Sequence, residues 1–77
     1  MSNYCSDIVI HIDEDLSDEQ IHALERDLAW MDGIYSACVH ERARHLMLVD
    51  FDPEDVRPER VLREVQAHGM HAELIGL

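Results

Sequence analysis

Six histidines fall within 77 residues, at positions 11, 22, 40, 45, 68 and 71. Imidazole is the commonest transition-metal ligand, and two or three rings within reach of one ion suit zinc, nickel or copper(II). His11, His40, His45, His68 and His71 are the candidate ligands, because each sits where a predicted element begins or ends. The same five also fit a set of solvated histidines at loop edges, since no His-x3-His pair on a predicted helix offers a preformed chelate. His22 lies on the solvent side of a predicted helix and reads as surface.

Five carboxylates lie close together, at Asp13, Glu14, Asp15, Asp18 and Glu19. Their spacing does not match an EF-hand loop and lacks its glycine. Asp18 and Glu19 fall in the first turn of a predicted helix, where the macrodipole favours negative charge. The remaining roles for the group are to supplement the histidines or to present a negative surface to a basic protein partner.

Other chemistry finds little support. Cys5 and Cys38 allow at most one bridge, too few for a disulfide scaffold. Cys38 and His40 share one face of a predicted strand, which gives either a thiol–imidazole pair or a small core or interface cysteine. The serines lie near no base, and three glycines form no phosphate-binding loop. All six basic residues are arginine, so lysine chemistry such as Schiff-base formation is excluded. No catalytic residue is assigned, and the chain is not read as an enzyme.

Seventeen acidic against six basic residues give a net charge of -11. That charge repels nucleic-acid phosphates and an anionic bilayer, so neither is expected as a partner. The apolar stretches are far shorter than a bilayer span, and Met1 to Asp7 lack signal-peptide character, so a cytoplasmic, reducing location is expected. Residues 1–77 make one small domain with a structured core over about 7–75. A chain of this size buries only about 60% of its unfolded surface, so the core is thin.

The elements that position the histidines follow from periodicity. Residues 7 to 13 alternate Ile8, Ile10 and Ile12 against Val9 and His11, a half-buried strand. Ser17 with Gln20 forms a capping box, Leu16 staples onto Ile21, and Ile21, Leu24, Leu28 and Met31 give one buried helical stripe. Asp32-Gly33 ends that helix. Residues 34–41 and 45–52 read as two strands of a hairpin around Arg42, Ala43 and Arg44. Pro58 opens a second helix with the stripe Val61, Leu62, Val65 and His68, Gly69 closes it, and residues 70–75 form a last strand. This βαββαβ order predicts an α+β, ferredoxin-like sandwich: a four-stranded antiparallel sheet in order 4-1-3-2 with both helices on one face. The end of strand 1, the end of strand 2 and the starts of strands 3 and 4 then meet at one edge, with five of the six histidines.

The run Ile8 to Ile12, then Leu24-x3-Leu28-x4-Gly33-Ile34, Ala37-x-Val39, Val49-x-Phe51-Asp52-Pro53 and Val61-x3-Val65-x3-Gly69-Met70-x-Ala72 resembles heavy-metal-associated (HMA) domains. The resemblance spans about residues 7 to 75. It implies a soft-metal site at a Cys-x-x-Cys pair between strand 1 and helix 1. Here that segment, Asp13 to Glu19, holds no cysteine, while Cys5 precedes strand 1 and Cys38 lies within strand 2. The family's ligands therefore map onto no residue of this chain.

The expected function is metal-ion binding or trafficking through histidines, with acidic residues in support and zinc, nickel or copper as the ion. The alternatives are a metal-free interaction or dimerisation module, or a small-ligand-sensing domain of ACT type. Two further expectations are specific. His11 and His71 are to oppose one another across strands 1 and 4. The sheet face away from the helices, with Val9, Cys38, Leu46, Leu48 and Ile75, is to form a contiguous apolar patch that a homodimer would cover.

Overall fold

The computed structural model describes residues 6–76. Its elements run β1 (Ser6–Ile12), α1 (Asp18–Ala29), β2 (Ile34–Val39), β3 (Leu46–Phe51), α2 (Pro58–Ala67) and β4 (Ala72–Gly76). The strands form one sheet in the order β2-β3-β1-β4, the arrangement expected from the sequence. All three ladders are antiparallel.

Period-two burial explains why β1 sits at the centre. Ile8, Ile10 and Ile12 are fully buried on the helix side, against Leu24, Leu28, Met47, Val49, Phe51, Val61 and Val65. The intervening Val9 and His11 point to the open face and are half-buried. Side chains that alternate in this way fix the register, because a slip of one residue would turn every isoleucine outward.

Helix α1 starts as its sequence dictates. Ser17 Oγ accepts from the Gln20 amide at 3.2 Å, and Gln20 Oε1 accepts from the Ser17 amide at 2.8 Å. The helix stops at Ala29, short of Asp32-Gly33, and Met31 still packs against the core. Gly33 adopts a left-handed φ of +89° where the chain turns into β2, and its carbonyl accepts from the Asp52 amide at 2.7 Å. The hairpin differs from expectation. Its strands end at Val39 and resume at Leu46, so the connection spans 40–45 and takes His40, Glu41 and His45 out of the strands. Likewise β1 ends at Ile12 and β4 begins at Ala72, which leaves Asp13 and His71 in the flanking loops.

Candidate metal centre

The ladder between β1 and β4 decides what faces His11. Its register pairs His11 with Glu73 and Ile12 with Ala72. The Asp13 amide then donates to the His71 carbonyl at 2.8 Å, which puts His71 opposite Asp13. The expected opposition of His11 and His71 is therefore corrected by one alternating step: Glu73 stands across from His11. The physical reason is that β4 continues to Gly76 beside β1, two residues further along the ladder than a direct His11–His71 pair would set it.

His11, Asp13 and Glu73 each present a ligand atom within 4.8 Å of the other two, and they form the one such group among the described residues. Two of them share a strand face by simple alternation, His11 and Asp13 being i and i+2. His11 Nδ1 lies 3.2 Å from Asp13 Oδ1, with the ring 37% and the carboxylate 62% exposed. The nitrogen itself is shut off from solvent, yet it makes no directed hydrogen bond. Proximity without a directed bond is the arrangement that a cation between the two atoms would complete. Donors around a tetrahedral zinc ion stand about 3.3 Å apart, so the exposed carboxylates would close in by up to about 1.5 Å. One imidazole and two carboxylates are borderline and hard donors that suit zinc, nickel or copper(II), and they are a poor set for soft copper(I).

The other candidate histidines are dispersed. The ring of His45 stacks on that of His11, with centroids 5.9 Å apart and planes at 19°. His45 Nδ1 donates to the Ile12 carbonyl at 2.7 Å, and its Nε2 lies 2.9 Å from Asp15. His71 is held by Glu14, whose carboxylate accepts from the His71 backbone amide at 2.9 Å and from Nδ1 at 2.6 Å. That hydrogen bond, and then the Glu14 charge, raises the His71 pKa, while the same ring and amide lower that of Glu14. His68 turns to the helix layer, with Nε2 3.4 Å from Asp27 of α1. His40 Nδ1 accepts from the Arg42 amide at 3.1 Å within the β2–β3 connection. His22 is exposed on α1. Five histidines share one end of the molecule, but only His11 joins a group with ligand geometry.

Asp13 and Glu73 are the residues that the histidine count passes over. The legible signal was His11-Ile12-Asp13, an alternation that continues one residue past the strand. Glu73 depended on the register and carried no signal of its own.

The segment from Asp13 to Glu19 is closed by side chains from across the edge. Arg44 donates to the Leu16 carbonyl at 3.1 Å and to Asp18 at 2.7 Å, while His45 holds Asp15 and His71 holds Glu14. Cys38 is exposed on β2, outside this segment in sequence, and Cys5 lies outside the described residues. No helix among the described residues is long and apolar enough to cross a membrane.

No protein-family model matches the chain, and no curated protein matches its sequence. Solved structures do match in shape. The chain is similar to a copper-binding domain from the P-type ATPase HMA7, with a TM-score of 0.81 and 23% identity over 91% of this chain and 93% of that one. It is similar to the N-terminal domain of a potential copper-translocating P-type ATPase from Bacillus subtilis in the Cu(I)-loaded state, with a TM-score of 0.83 and 18% identity over 94% of this chain and 89% of that one. It is similar, too, to the copper chaperone of Enterococcus hirae in its apo form, with a TM-score of 0.78 and 16% identity over 88% of this chain and 98% of that one. Identities from 16 to 23% carry the backbone and not the ligands. The chain has the ferredoxin-like βαββαβ fold of heavy-metal-associated copper-binding domains.

Proposed function

We propose that this domain binds a divalent transition-metal ion, zinc, nickel or copper(II), and serves in metal-ion handling rather than catalysis. The ligands are one ring nitrogen of His11 and the carboxylates of Asp13 and Glu73, and the His45 ring stacks beside that of His11. The observation that carries this reading is the mutual approach of those three donors within 4.8 Å, around a ring nitrogen without a directed bond. The likeness to copper-binding domains and chaperones supports a metal role in general. His40, His45, His68 and His71 are outer candidates that would join only by leaving their present partners. Calorimetric titration of untagged protein with each ion tests the reading. One ion per chain, with binding lost in His11→Ala, is expected; no heat with any of the three ions rejects it.

A second reading, a metal-free interaction module with a basic protein partner, is favoured by the net charge of -11. It predicts unaltered histidine NMR signals on addition of metal.

A further inference from the structure

The open face of the sheet has an internal symmetry of chemistry. Cys38, Leu48 and Val9 form one row across three strands, each directly paired with the next. Two residues along in one direction lie His40, Leu46 and His11, since the His40 amide donates to the Leu46 carbonyl and His11 pairs with Leu46. Two residues along in the other direction lie Ser36, Asp50 and Asp7. His11 and His40 thus stand at one end of the face, with Glu73 across from His11 on β4, and Asp7 and Asp50 stand at the other end, with an apolar row between them.

We propose that two copies of this chain associate face to face across this surface, about a two-fold axis running along the Val9–Leu48–Cys38 row. Such an axis sets the two sheets antiparallel and lays His11 of each copy over Asp7 of the other. The proposal goes beyond metal binding and does not need the ion.

Four observations support it. First, Asp7 and Asp50 oppose one another directly, an unfavourable pairing of like charges. Ser36 Oγ donates to Asp50 at 2.9 Å, but among the described residues neither carboxylate has an imidazole or guanidinium partner. The shared hydrogen bond with Asp50 raises the Asp7 pKa, as burial and the Asp50 charge do in turn. An N–H donor from the other copy answers that need, and His11 offers Nε2, because Nδ1 faces Asp13. Second, Leu48 and Ile75 are 46% and 53% exposed on this face, and covering them removes apolar surface from water. Third, only Asp7, Asp50 and Glu73 of the acidic residues project from these strands onto the open face; the rest sit on helices and loops, so the net charge of -11 is carried mainly elsewhere. Fourth, both sheet edges are occupied by side chains. Glu25 accepts from the Val39 amide at 2.9 Å, and Gln66 donates to the Ala72 carbonyl at 3.1 Å. Edge-to-edge pairing would have to break those bonds, whereas face-to-face packing leaves them intact.

The contact is small. Four strands about 4.8 Å apart and about five residues long give roughly 300 Å² in projection, against about 800 Å² per partner in a standard interface. Association is therefore weak and reversible. A metal ion on His11 Nδ1 would find its outer hydrogen-bond partner in Asp7 of the other copy, the usual support for a ligating histidine.

Sedimentation equilibrium of untagged protein in the presence of a chelator tests the dimer separately from the metal. The average mass should rise with concentration from 8.9 kDa towards twice that value. Leu48→Glu should hold the chain monomeric with an unchanged circular dichroism spectrum. His11→Asp should also be monomeric, since a carboxylate would then lie over Asp7, and the double exchange His11→Asp with Asp7→His should restore association. A wild type that stays monomeric at about 1 mM, or a double exchange that associates no better than His11→Asp alone, overturns the proposal.

Discussion

Glu73 stands directly across the β1–β4 ladder from His11, and this pairing gives the imidazole a carboxylate that no local sequence pattern announces. With Asp13 two residues beyond His11, the ladder assembles a donor set from two strands that meet only in the folded state.

Each of the three donors should therefore matter separately. Glu73→Gln and Asp13→Asn should each weaken zinc or nickel affinity by about tenfold or more, the order of loss seen when groups around a metal are removed. His40→Ala and His68→Ala should change it by less than threefold. Calorimetry on untagged variants reads this, and equal losses across all four would disperse the site.

Copper(I) should not be held by thiolates. The Asp13 to Glu19 segment lacks cysteine, and Cys38 is exposed on β2. Competition against a chromophoric copper(I) chelator should give the same result for the wild type and for Cys38→Ser. A copper(I) complex that needs Cys38 within a monomer would contradict the donor assignment.

The Glu14–His71 pair should leave a pH signature in metal-free protein. The His71 pKa is raised above its usual 6.5, so its contribution to stability is full below 6.5 and is lost as pH climbs through the raised value. The Glu14 pKa is lowered from its usual 4.5, so its contribution is full above 4.5 and is lost as pH falls through the lowered value. Glu14→Gln should therefore cost most between pH 4.5 and 6.5 and progressively less on either side. Chemical denaturation with a chelator across that range checks the shape; a flat difference would show that the pair contributes nothing.

Two glycines with nearly the same backbone should respond differently. Gly33 and Gly69 have φ of +89° and +88°, so an alanine at either is strained by about 1–3 kcal/mol. A Cβ on Gly33 would also lie 2.8 Å from Asp55 Cβ, whereas one on Gly69 meets nothing within 4 Å. Gly33→Ala should lower the unfolding midpoint further than Gly69→Ala. Equal losses would mean that Asp55 moves aside freely.

Capping offers a smaller, cleaner loss. Ser17→Ala removes the hydroxyl that accepts the Gln20 amide and should cost about 1 kcal/mol, with Ser17→Asp recovering most of it. Thermal unfolding of the three proteins distinguishes a cap from an ordinary surface serine.

The architecture was legible in the residue pattern, because the forces behind it are local or periodic. Ile8, Ile10 and Ile12 alternate and so bury one strand face, Ser17 and Gln20 satisfy each other's amides, and Pro58 opens α2 where its missing N–H costs nothing. These patterns brought the histidines to one end of the fold. Which of them share a site depended on strand pairing in the folded chain. A strand register shifts partners in steps of two without disturbing the burial pattern, so His11 met Glu73 rather than His71 while every buried residue stayed buried. In the connection over 40–45 the His40 ring likewise turns to the Arg42 amide and the His45 ring lies against His11, while their backbone groups still bond to Leu46 and Ile12. The hydrophobic pattern specifies faces, and only the paired backbone specifies neighbours.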